Sequence, residues 1–72
     1  MNVDSIGVYA GEVWKALNTA DVLGLKQIKK ITKLKEKEVY TAIGWLAREN
    51  KITIQSDPED AKEILVTLVP EN

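Results

Sequence analysis

The chain has no cysteine and no histidine among its 72 residues. These two absences exclude disulfide scaffolds, zinc sites of the Cys/His kind, thiolate nucleophiles and imidazole general bases. Most enzyme chemistries go with them, and the protein is expected to be non-enzymatic. Long apolar runs are lacking as well. The segment Ile64-Leu65-Val66 is typical of those present, far short of the ~20 residues of a membrane span, and the N-terminus lacks a signal-peptide pattern. The chain therefore reads as soluble and cytoplasmic, with no membrane partner. A net excess of positive charge is absent too: the formal net charge is -1 and the pI about 5.3. Nucleic-acid-binding domains usually carry a basic excess, so only an uneven distribution of charge can support that function.

The distribution is uneven. Seven of the ten basic residues lie from Lys15 to Lys37, and the stretch KQIKKITKLKEK holds six lysines in twelve positions. Farther on, SDPEDAKE (residues 56 to 63) carries four acids and one lysine. The molecule has a basic middle and an acidic tip. Those acids lack the spacing of a calcium loop and Pro58 interrupts them, so no metal site or cofactor is expected.

Hydrophobic periodicity divides the chain into six elements. Ile6, Tyr9, Ala10, Val13, Trp14 and Leu17 recur at helical spacing, with Asp4 or Ser5 as the expected cap and Trp14 expected to be buried. NTADVLG reads as a loop ending in a brief extended segment at Val22 and Leu23. A second helix spans about Leu25 to Thr32, with Leu25, Ile28 and Ile31 on one side and Lys26, Lys29, Lys30 and Lys33 within about 100° of arc on the other. After a break at Lys33-Leu34-Lys35, a third helix runs from about Glu36 to Asn50 and buries Val39, Ala42, Ile43 and Leu46. KITIQ and ILVTLV read as two strands separated by a loop of roughly eight residues, long for a hairpin. The expected fold is α+β, a single domain over residues 1–72, in the order α-β-α-α-β-β of a winged helix-turn-helix.

At KKITKLKEKEVYTAIGWLARENKITI the sequence resembles prokaryotic winged helix-turn-helix domains. With IGVYAGEVWKAL before it, the chain is similar to one small prokaryotic family of such domains of unknown function. The resemblance implies that Leu25 to Thr32 is the first helix of the motif, Lys33 to Lys35 its turn and Glu36 to Asn50 the recognition helix. Two positions depart from the usual pattern: Lys33 stands where the turn commonly has glycine, and Lys35 where the recognition helix commonly has a Ser or Thr cap. Each lysine is locally unfavourable by about 1 kcal/mol.

Lys37, Thr41, Gly44 and Arg48 follow i, i+4, i+7, i+11, a stripe opposite the buried face of the third helix. In a helix-turn-helix this face enters the major groove, with Lys37, Thr41 and Arg48 toward bases or phosphates and Gly44 allowing close approach. Lys26, Lys29, Lys30, Lys33 and Lys35 would contact phosphates. Both sets also fit an ordinary solvated face. Asp57, Glu59, Asp60 and Glu63 in the wing oppose a duplex, because carboxylates are repelled by phosphates inside a ~10 Å Debye length.

A second function stays open beside DNA binding: a protein-interaction module, homodimeric or with another protein. Tyr40 and Trp45 flank the buried face of the third helix, and the aromatic residues Trp and Tyr are frequent interface anchors. Packing under the wing or against the first helix is the alternative for both. Gly7 and Gly11 cost about 1 kcal/mol each inside a helix, so something should approach the backbone there, either a neighbour in the same chain or a second copy. The last strand is apolar on both faces, and its outer residues Leu65 and Val69 with a free edge favour self-association.

Overall fold

A computed structural model of the chain describes residues 1–70. The first helix, α1, is Val3–Leu17 and begins earlier than the apolar period suggests. Its cap is Asn2, not Asp4 or Ser5. Asn2 Oδ1 accepts the Ser5 N–H at 2.9 Å while Ser5 Oγ accepts the Asn2 N–H at 2.9 Å, a reciprocal box that satisfies two orphan donors. The opening turn was invisible to periodicity because Val3 and Asp4 point to solvent.

Strand β1 is the two-residue Leu23–Gly24, and it leads directly into α2, Leu25–Thr32, at the expected bounds. Helix α3 is Glu36–Arg48, shorter than expected. It closes with a left-handed Asn50 (φ 58°), the Asn50 N–H donating to the Ala47 carbonyl and the Lys51 N–H to that of Leu46. That is a Schellman ending, and asparagine adopts the left-handed region more readily than most residues.

The three helices bury Ala10, Val13 and Leu17 of α1, Leu25 and Ile28 of α2, and Val39, Ala42, Ile43 and Leu46 of α3 against Leu23, Ile52 and Val66 of the sheet. The four apolar positions expected on α3 are all in this core. Ile31 is not: it is 49% exposed, because it lies in the last turn of the short α2 where the helix leaves the core.

The wing is tighter than its sequence suggests. Strands β2, Ile52–Asp57, and β3, Asp60–Leu68, are joined by Pro58 and Glu59 alone, not by a long loop. Asp57 Oδ1 accepts the Glu59 N–H at 2.9 Å and Asp60 Oδ1 the Lys62 N–H at 3.0 Å, so side chains supply the turn bonds. The polar, proline-containing segment hides strand character because its residues lie at an exposed tip where no apolar alternation marks them. The register breaks there: Ser56 pairs with Ile64 but Asp57 with Asp60, leaving Ala61, Lys62 and Glu63 without a partner on β2.

The sheet order is β1-β3-β2, all antiparallel. The last strand is thus central, and the free edges belong to β1 and β2. This corrects the expectation of a free edge on the last strand. Its inner residue Val66 is fully buried between Leu23 and Ile54, its outer residue Leu65 is half-buried, and Val69 is exposed just beyond the strand.

Candidate nucleic-acid interface

Two short joints set the geometry between α2 and α3. The first is Lys33, which caps α2 in the left-handed conformation (φ 63°, ψ 15°), its N–H donating to the Lys29 carbonyl at 2.9 Å. A lysine there is strained relative to glycine, more than is the left-handed Asn50 two residues past the end of α3. The strain is held by the Thr32 hydroxyl, which donates to the Ile28 carbonyl at 2.7 Å and accepts the Leu34 N–H at 3.3 Å, and by half-buried Leu34 packing on the core.

The second joint is Lys35, the N-cap of α3, whose ammonium has no lone pair with which to cap a helix. Glu38 compensates from within the helix. Its carboxylate accepts the Lys35 N–H at 2.8 Å, and this bond, followed by the Tyr9 hydroxyl of α1, holds the Glu38 carboxyl below the usual range. Tyr9 in turn is raised, first through its hydrogen bond to Glu38. The start of α3 is therefore registered against α1 by one carboxylate.

Along α3, Lys37, Gly44 and Arg48 are exposed, and Thr41 is half-buried with its hydroxyl donating to the Lys37 carbonyl at 2.6 Å. A Cβ added at Gly44 would meet nothing within 4 Å, so this part of the helix surface is open. Tyr40 and Trp45, 48% and 43% exposed, border that stripe on its two sides. Neither is packed away beneath the wing or against α1.

Of the lysines on α2, Lys26 and Lys30 are exposed. Lys29 sits at the edge of the buried face and lies 3.9 Å from Glu36. The α2 surface thus carries an acid brought to it by α3, though an exposed pair of this length contributes little. The exposed Lys33, Lys35 and Lys37 cluster in sequence around the joint, with no acid between them but Glu36. From Lys26 to Arg48 seven basic residues stand against two acidic ones.

The four wing acids do not act together. Glu63, placed by the register break, turns inward: Oε1 accepts the Leu25 N–H at 2.9 Å and Oε2 the Lys26 N–H at 3.3 Å. A strand residue thereby caps the positive end of α2 across the fold. Gly24 makes room, since a Cβ there would come within 3.1 Å of Glu63 Oε2, while the Gly24 N–H donates to Gln27 Oε1 at 2.9 Å. The sequence groups Glu63 with the acidic tip and gives Gly24 no evident role. The only local signal was a glycine immediately before a helix lacking a Ser, Thr, Asp or Asn cap. Asp57, Glu59 and Asp60 remain at the tip.

On α1, Trp14 is 41% exposed, contrary to the expected burial. It forms one wall of a shallow groove of about 250 Å³ shared with Asn18, Lys51, Leu68, Val69 and Pro70. Gly7 and Gly11 have nothing within 4 Å of an added Cβ, which removes the reading that a neighbour in the same chain lies over them.

Three helices, a left-handed joint before a third helix with an exposed outer stripe, and a two-stranded wing define a winged helix-turn-helix. The chain belongs to the winged helix-turn-helix domain family DUF2582, whose model matches residues 1–68. It is similar to protein BT2368 from Bacteroides thetaiotaomicron, known from a solution NMR structure, with 34% identity, 94% of this chain and 79% of that one covered, and a TM-score of 0.80. It is also similar to BpsR from Bordetella bronchiseptica, whose DNA binding is regulated by 6-hydroxynicotinic acid, at 24% identity and a TM-score of 0.80, covering 97% of this chain and 53% of that one. A mutant MarR from E. coli complexed with operator DNA matches at 17% identity and a TM-score of 0.77, covering 83% of this chain and 43% of that one. This chain thus spans about half the length of the two regulators, and at such identities the likeness is one of fold. No curated protein matches. Among the described residues no helix is long and apolar enough to cross a membrane.

Proposed function

We propose that the protein is a non-enzymatic, cytoplasmic DNA-binding module that docks on duplex DNA through α2, the joint and α3. Lys26, Lys30, Lys33 and Lys35 take phosphates, Lys29 adds to them when it leaves Glu36, and Lys37, Thr41 and Arg48 face the major groove, with Gly44 admitting the duplex closely. The observation that carries this reading is the joint: Lys33 is held left-handed and Lys35 stands at a cap it cannot serve, so cations occupy two places where local stability favours other residues. A solvated face has no need of either. The likeness in fold to regulators described as binding DNA supports the same reading.

Titration of a generic duplex at low and then moderate salt, followed by amide shifts, tests it. Perturbations should run along residues 26 to 48, and affinity should fall roughly 10²-fold or more between 50 and 200 mM salt if about five phosphates are contacted. Silence at low salt sinks the proposal.

The exposed Tyr40 and Trp45 and the acidic tip favour a second reading, a protein-interaction module without nucleic-acid binding. Shifts confined to the Trp45 side of α3 and to the outer face of β3 around Leu65, on addition of a protein partner, would mark it.

A further inference from the structure

Among the described residues nothing packs over the centre of the outer face of α1. Along it run Val3, Gly7, Gly11 and Trp14, all exposed, with Val3 74% open to solvent. At about 100° per residue Gly7 and Gly11 form the centre of this face; Val3 and Trp14 lie on one flank, and Asp4 and Lys15 on the other. Each flank therefore has one residue near the start of the helix and one near its end.

We infer that this face pairs with the same face of a second copy, the two α1 helices antiparallel about a two-fold axis at the glycines. A two-fold rotation perpendicular to both helices keeps each flank on its own side and reverses the helix direction. With Gly7 opposite Gly11 of the other copy, Asp4 meets Lys15 twice and Val3 meets Trp14 twice. Charge complementarity selects this arrangement. A parallel two-fold pairing would exchange the flanks, setting Asp4 against Val3 and Lys15 against Trp14 and leaving both charges without a partner of opposite sign. Lys15 is free to make the exchange, because its 3.8 Å approach to Glu12 is an exposed pair of little strength. The glycines let the backbones close in, which gives a reason for two helix-breaking residues over which no described residue lies. One helix face buries less than the ~1,200 Å² of a standard interface, so the dimer is weak and belongs to high protein concentration.

Sedimentation equilibrium and rotational correlation times from micromolar to millimolar protein, on the full chain, test this. The parent should associate. Asp4→Lys should weaken association about tenfold, and Asp4→Lys with Lys15→Asp should restore it, since two attractive pairs replace two repulsive ones. Asp4 and Lys15 also suit the dipole of their own helix, and on that account the double exchange is worse than either single one. Gly7→Ala with Gly11→Ala should raise thermal stability through helix propensity and yet weaken association about tenfold. A parent that stays monomeric at millimolar concentration overturns the inference. So does association that the double exchange fails to rescue, or that the alanine pair leaves unchanged.

Discussion

Single residues carry conflicting demands at the joint between α2 and α3. A left-handed lysine costs about 1 kcal/mol against glycine, and a lysine N-cap costs a similar amount against serine. Lys33→Gly and Lys35→Ser should therefore each raise the melting temperature by about 4–8 °C per kcal/mol gained in a domain of this size. Under the proposed docking, each should also weaken duplex binding several-fold at low salt. Calorimetry beside a binding titration separates the two effects, and a variant that gains stability with unchanged affinity would remove that lysine from the interface. Both lysines were visible as oddities in the sequence. Their conformations required the backbone: φ at Lys33 is 63°, and nothing in the composition of ITKLKEK dictates it.

At the scale of elements, the β3 strand reaches out of the wing to hold α2. Glu63 supplies both of its oxygens to the first amides of that helix, and Gly24 keeps the approach open. Glu63→Ala leaves two helix N–H groups without a protein acceptor and should cost about 1–2 kcal/mol, read by urea denaturation. Glu63→Gln keeps an acceptor but loses the charge and should fall between parent and Ala. A Glu63→Ala variant within 0.5 kcal/mol of the parent, roughly the spread of neutral surface changes, would show that water serves these amides equally well. The cap spans 38 positions of sequence, so no local pattern announces it. Periodicity did locate α2 to its exact ends and the core face of α3, because burial there follows a repeat of 3.6 residues.

Over the whole molecule, charge is divided: the joint and α3 side is basic, and the wing tip keeps Asp57, Glu59 and Asp60. Glu63 is no longer part of that tip, which lessens the repulsion of a duplex without abolishing it. Replacing the three by Asn, Gln and Asn should strengthen duplex binding several-fold at low salt. The gain should vanish as the Debye length shrinks toward ~3 Å at 1 M. Unchanged affinity at low salt would mean that the wing lies beyond electrostatic reach of the bound DNA. The proposed α1 pairing lies on a different helix from this surface. Duplex binding and self-association can therefore be tested by independent substitutions.

The order of elements, the buried face of α3 and the basic middle of the chain were determined by the sequence itself. Each is a local or periodic property that survives without knowledge of what packs where. The tertiary structure alone decided that Trp14 stays exposed, that β3 is central, that the wing turn is two residues long and that Glu63 caps a distant helix. Those outcomes depend on which surfaces meet across the fold. Helix and strand periodicity fixes the side of an element on which a residue lies, but only packing determines whether another surface covers that side.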